Sequence, residues 1–276
     1  MMGMKDSLRA WVTGTFSLAV ICLAGAPRPA RAQGEKRTVF AANDFHWQGH
    51  MKAGQTLEVI NQNGEIEATS AMGDEARAEG IKKGSDDDGL FIEVVENSEG
   101  VTICAVHAKD NTPGRCHRGG VSSESWGWHG HHTKINFNLQ VPRGVSFHAE
   151  TTNGNVLCHN LESVVDATTT NGSVDVSTSE WASATTTNGG IRVSMGSAKW
   201  IGELRVNTTN GGVEVTMPAS AEFRLNAATT NGGVHSDFPI TVQGSFSSKE
   251  LSGTVGGGGR ELRVATTNGT IRLMKS

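Results

Sequence analysis

The sequence contains no tyrosine, six prolines and 5% aromatic residues in 276, so its interior must be filled by small aliphatic side chains rather than by stacked rings. Basic excess is missing as well: the formal net charge is −4, which excludes the phosphate-neutralising face a nucleic-acid partner would need. Beyond residue 32 no apolar run approaches the ~20 residues that span a bilayer. Neither G-x-S-x-G nor H-E-x-x-H occurs. Gly256 to Gly259 lacks the Gly-Lys-Ser/Thr ending of a phosphate loop and is read as a flexible connector. Against these absences stand 35 glycines and an abundance of Thr, Asn, Ser and Val, the composition of many short strands joined by turns. The fold class is all-β.

Residues 1–32 are expected to be a signal peptide. Lys5 and Arg9 give a positive start, Trp11 to Gly25 is mostly apolar, and Ala30-Arg31-Ala32 is an A-x-A cleavage site. A membrane anchor would need a longer run, and lipidation at Cys22 is disfavoured by the bulky Ile21 before it. Cleavage discards Lys5, Arg9, Arg28, Arg31 and Asp6, leaving 20 basic and 27 acidic residues. The expected location is the periplasm, the cell surface or the medium. Such compartments favour disulfides, and Cys104 and Cys116 bracket a polar segment, Asn111-Thr112-Pro113-Gly114, that can fold back to join them. Cys158, within Val156-Leu157-Cys158, is expected to be a buried free thiol.

Thr-Thr-Asn-Gly recurs with its asparagine at Asn153, Asn171, Asn188, Asn210, Asn231 and Asn268. Residues 203–215 and 261–273 match at eight of thirteen positions. After each Asn-Gly, apolar residues alternate with polar ones: Val174 and Val176, Ile191 and Val193, Val213 and Val215, Ile271 and Leu273. That is the period of a strand with one buried face. Fixed-interval repeats mark stacked units, so the expected architecture is a single-stranded parallel β-helix, a β-solenoid with coils of about 17–22 residues and Asn-Gly corners. A residue of the corner is expected at positive φ, which Gly adopts without strain and Asn tolerates better than most, and the six asparagines are expected to form a hydrogen-bonded ladder up the stack. The interval from Asn231 to Asn268 has room for two coils, one of them degenerate.

Residues 33–150 read as an irregular, loop-decorated part of the same domain. Leu57 to Glu67, with Asn63-Gly64, is a diverged coil, and Phe91 to Val95 and Val101 to Cys104 are further strands. Lys82 to Gly89 and Ala108 to Lys134 are read as loops leaving the stack. One solenoid domain over 33–276 is expected, regular from 151 onward.

With the Asn63 coil, the Val101-Thr102-Ile103-Cys104 segment, Val141-Pro142 and the terminal Thr-Thr-Asn-Gly-Thr-Ile in place, the chain resembles a bacterial family of candidate adhesins, known mainly as a β-strand-repeat domain of unknown function. The resemblance implies a parallel β-helix and an envelope or extracellular location. It carries no catalytic residues.

Chemistry-bearing candidates are few. Trp126-Gly127-Trp128-His129-Gly130-His131-His132 gathers imidazoles, so His129, His131 and His132 are the candidates for a metal site, although the spacing fits no zinc pattern and a packing or solvent role is preferred. Trp126 and Trp128 offer a possible stacking surface for sugars or a protein. Asp86-Asp87-Asp88 is read as a solvated loop rather than a Ca²⁺ site. No cofactor is called for. The function expected is a non-catalytic, adhesin-like structural or binding module for an envelope or extracellular ligand, glycan or protein. The alternatives are a carbohydrate-active lyase or hydrolase, which β-helices also support, and a self-assembling envelope scaffold.

Overall fold

The computed structural model describes residues 34–84, 89–109, 112–113, 115–121, 133–242 and 247–276. The N-terminal part supplies β1 (Lys36–Ala41), β2 (Phe45–His50), β3 (Thr56–Ile60), β4 (Ile66–Ser70), β5 (Glu75–Lys83), β6 (Leu90–Asn97), β7 (Gly100–Lys109), the short β8 (Thr112–Pro113), β9 (Cys116–His117) and β10 (Gly120–Val121), and β11 (Lys134–Val141). The repeats then give β12 (Ser146–Asn153), β13 (Val156–Leu161), β14 (Val165–Asn171), β15 (Val174–Thr178), β16 (Ala182–Thr185), β17 (Ile191–Met195), β18 (Glu203–Asn207) and β19 (Val213–Met217). The chain closes with β20 (Phe223–Asn231), β21 (Val234–Ser236), β22 (Ile240–Thr241), β23 (Glu250–Val255), β24 (Glu261–Asn268) and β25 (Ile271–Lys275).

Two long sheets result. The first runs β1-β6-β7-β3-β12-β14-β16-β18-β24-β20-β23-β22, and the second β2-β5-β11-β4-β13-β15-β17-β19-β25-β21. Each coil gives one strand to each sheet, and like strands pair in parallel: Val174 lies beside Ile191, Ile191 beside Val213, and Val213 beside Ile271. The fold is therefore a parallel β-solenoid. Its alternating apolar residues meet in one core, in which Val176, Val193, Val215 and Leu273 are at most 1% exposed. Burying each such side chain stabilises by about 1.5–3 kcal/mol.

At the corners a hydroxyl seam runs beside the amides. The first threonine of each repeat is buried and donates to the glycine carbonyl of the neighbouring coil: Thr151 to Gly64, Thr169 to Gly154, Thr186 to Gly172, Thr208 to Gly189, Thr266 to Gly211 and Thr229 to Gly269, at 2.8–3.1 Å. The second threonine faces outward. The reason for glycine differs from the expected one. Among the corner glycines, Gly64 has positive φ, but Gly154, Gly172, Gly189, Gly211, Gly232 and Gly269 do not. Close approach excludes a side chain there: a Cβ on Gly189 would lie 2.0 Å from the Gly172 carbonyl oxygen, the same atom that accepts the Thr186 hydroxyl.

Both ends depart from a simple winding. Among the described residues between Asn231 and Asn268 there is no second coil: β23 pairs antiparallel with β20, and β22 antiparallel with β23, and this stretch carries no Thr-Thr-Asn-Gly corner. The last coil, β24–β25, then sits between β18–β19 and β20–β21. At the other end the β3–β4 coil lies between β7 with β11 on one side and β12–β13 on the other, while β1, β2, β5 and β6 pair antiparallel. Residues 115–121 also differ from the expected excursion. They lie back on the outer face of the first sheet, where Cys116 and Val121 pack with Ile60, Val95, Cys104 and Val106 in a second small core.

Candidate binding face

Of the residues singled out in the sequence, Trp126, Trp128, His129, His131, His132 and Asp86 to Asp88 lie outside the described residues. Among the described residues no three His, Cys, Asp or Glu side chains converge as a metal set, and no helix is long and apolar enough to cross a membrane.

The asparagines form a continuous chain of amides. Asn153 Nδ2 donates to Asn63 Oδ1, Asn171 to Asn153, Asn188 to Asn171, Asn210 to Asn188, Asn268 to Asn210 and Asn231 to Asn268, all at 2.7–2.8 Å. Asn231 follows Asn268 because of the inserted last coil. At the Asn63 coil the seam threonine is replaced by Asn61, whose longer side chain donates to the Ile135 carbonyl at 2.8 Å. These residues hold coils together through one donor and one acceptor of each interior amide.

Cys104 and Cys116 form a disulfide, and two buried carboxylates seat the segment that follows. Glu93 accepts from the Cys116 amide at 2.7 Å and from Arg37 at 2.9 Å. Glu58 accepts from the Gly119 amide and the Thr102 hydroxyl, each at 2.9 Å, with His148 Nδ1 3.4 Å away. The charges are thus spent on orienting backbone. Cys158 is a free thiol with no exposed surface; burial first, and the nearby Asp175 second, push its pKa far above the ordinary thiol value, so it is held protonated and unreactive.

A broad concavity lies elsewhere, on the outer face of the second sheet where β2, β5, β11 and β4 lie side by side. Its volume is about 630 Å³, within the range of small-ligand sites. Register aligns its outward side chains in two rows across the four strands. One row is His46, Glu79, Asn138 and Glu67; the other is Gln48, Arg77, Gln140 and Thr69. Arg77 is steadied by Glu75 at 2.7 Å. Trp47, between His46 and Gln48, points to the opposite face of the sheet and is buried in the core, with its indole N–H donated to Glu96 of the first sheet at 3.1 Å. Three amides, two carboxylates, one guanidinium, one imidazole and one hydroxyl converge on one shallow face, an array of donors and acceptors with little net charge.

The same face changes character along the stack. In the regular coils the corresponding positions carry a single row of alternating sign, Asp175, Arg192, Glu214 and Arg272. Arg192 reaches Glu214 and Asp175 at 3.3 Å each, and these bonds raise its pKa. Such exposed pairs contribute little individually.

Sequence reasoning missed the groove. Its local signal was present, since long polar side chains (His46, Gln48, Arg77, Glu79, Asn138, Gln140) occupy alternate positions where the later coils carry mostly shorter ones. What was hidden is that four strands distant in the chain become neighbours.

Comparison with known proteins gives a family match. The family described as Toastrack DUF4097 matches residues 48–274. No curated protein matches the chain. Among solved structures, a candidate cell adhesion protein from Clostridium sporogenes ATCC 15579 is similar at 12% identity and TM-score 0.44, covering 85% of this chain and 100% of its own. A candidate adhesin from Bacteroides fragilis NCTC 9343 is similar at 10% identity and TM-score 0.26, covering 85% and 97%.

Proposed function

The chain belongs to the Toastrack DUF4097 family, and on that footing we propose that it is an exported, non-catalytic, adhesin-like module that binds a glycan of the envelope or surroundings through the groove on β2, β5, β11 and β4. Export is supported by the basic start at Lys5 and Arg9, the apolar run after it and the Ala30-Arg31-Ala32 site. Residues 33–276 act as one solenoid domain in this reading. The single observation that carries the ligand class is the double row of His46, Glu79, Asn138, Glu67 and Gln48, Arg77, Gln140, Thr69. Amides that both donate and accept, beside carboxylates that accept, suit a hydroxyl-rich, uncharged partner, whose every polar group must be matched if it is to be desolvated.

One observation favours a second reading. Glu79 and Glu67 flank Asn138 in register, two strand spacings or roughly 10 Å apart, close to the separation used by inverting glycosidases. The groove is open to solvent and Asn138 stands in register between the two carboxylates, so binding is preferred over hydrolysis.

The test is a glycan and envelope-extract screen with the mature chain, with product analysis on the same samples. Asn138→Ala with Gln140→Ala should weaken glycan binding at least about tenfold, the cost of two lost hydrogen bonds, while leaving the melt unchanged. Binding that survives this pair and disappears with Trp126→Ala plus Trp128→Ala would move the site to that loop. Released sugar would establish the hydrolytic reading.

A further inference from the structure

The order of coils in the stack differs from their order in the chain at the C-terminal end, and the coil inserted there makes the same bonds as every other. After β19 the chain steps past one level, lays down β20–β21, reverses through β22 and β23, and fills the omitted level with β24–β25. Asn268 donates to Asn210 and accepts from Asn231. Thr266 donates to the Gly211 carbonyl, and the Gly269 carbonyl receives Thr229. At the mouth of the slot Trp200 Nε1 donates to the Glu261 carbonyl at 3.0 Å, while Arg260 Nε donates to the Trp200 carbonyl at 2.6 Å.

All these partners precede residue 256, and the inserted coil follows residue 260. Between them runs Gly256-Gly257-Gly258-Gly259-Arg260, in which Gly256, Gly258 and Gly259 have positive φ. The molecule is thus divided at a glycine hinge into a body with a one-coil slot and a terminal tongue that fills it. The tongue repeats the sequence of the adjoining coil at eight of thirteen positions, and the like residues stack in register, Leu204 on Leu262 and Val206 on Val264. Nothing in the bonding distinguishes a tongue on the same chain from one on another.

We infer that the C-terminal coil, residues 261–276, is an exchangeable element by which the protein pairs with a second copy of itself, each copy's tongue seated between β18–β19 and β20–β21 of the other. Every bond described for the insertion is kept in the pair, and the interface closes with two-fold symmetry. The tether decides the balance. Within one molecule it must cross β20, two strand spacings or about 10 Å, and five residues reach roughly 20 Å. A tether of that kind gives its own tongue an effective concentration of order millimolar, so the single chain prevails when dilute and the exchanged pair gains when chains fold together at high concentration. This interaction is independent of the groove, so glycan binding and pairing stand or fall separately.

Two full-length copies with different tags, one Asn210→Cys and the other Asn268→Cys, should be denatured, mixed and refolded at low and high concentration, with mass read by light scattering and cross-links by non-reducing gel. Adjacent parallel strands place these positions within disulfide reach. The expected result is a dimer whose share rises with concentration and an unlike-chain disulfide confined to it. Deleting Gly256 to Gly258 leaves a tether barely long enough for the crossing and should raise the dimer share of dilute protein at least about tenfold. Monomers at every concentration with no unlike-chain cross-link, or a folded monomeric deletion variant, would overturn the inference; should the deletion variant fail to fold, the cross-link decides alone.

Discussion

At the scale of single residues, the Thr-Thr-Asn-Gly corner divides its labour among four positions. The first threonine sends its hydroxyl to a neighbouring carbonyl, the asparagine links amides, and the glycine keeps the coils in contact, while the second threonine is exposed. Two adjacent substitutions should therefore differ sharply. Thr186→Val keeps the shape but leaves the Gly172 carbonyl without its hydroxyl donor, and should cost about 1–3 kcal/mol. Thr187→Val, at the outward position, should stay within about 0.5 kcal/mol. Urea titrations of both variants check this, and equal losses would contradict the division of roles. The asparagine positions and apolar alternation were legible in the sequence because each is a local pattern. The reason for glycine was not, since close approach by the next coil is a property of stacking and leaves no mark on φ.

Elements show where legibility ended. A strand with alternating burial announces itself, so Val213 to Met217 or Ile271 to Lys275 could be read directly. Pairing order could not be, because β24 pairs with β18 on one side and β20 on the other through the same residues, and no local pattern marks it as the coil that comes between them. The groove was hidden for the same reason, its two rows being assembled from β2, β5, β11 and β4 across almost a hundred residues of chain. The disulfide belongs to this scale too. Cys104 and Cys116 pin the 115–121 segment, with its small apolar core, to the first sheet. Replacing both by serine removes a cross-link over 12 residues of separation and should cost about 2–4 kcal/mol, read as a lower melting temperature. Glu58 and Glu93 still hold Gly119 and Cys116 by their amides, so the far-ultraviolet signal of the sheets should be retained; its loss would show that the cross-link supports the solenoid itself.

For the molecule as a whole, one core connects all the coils, from Phe45 near one end to Leu273 near the other. A defect in the middle is then felt on both sides, as nearest-neighbour coupling requires. Val213, 1% exposed, stacks between Ile191 and Ile271. Val213→Asp would bury an unpaired carboxylate and should cost more than about 4 kcal/mol, the range of the most disruptive core changes; a melt matching the parent protein would refute the stacked interior. The amide column carries a last consequence. Because every donor in it points toward Asn63 and every acceptor toward Asn231, the small dipoles add like magnets laid in a row. The two ends of the column are therefore electrically unlike, with a faintly positive pole at the amide nitrogen of Asn63 and a faintly negative one at the amide oxygen of Asn231.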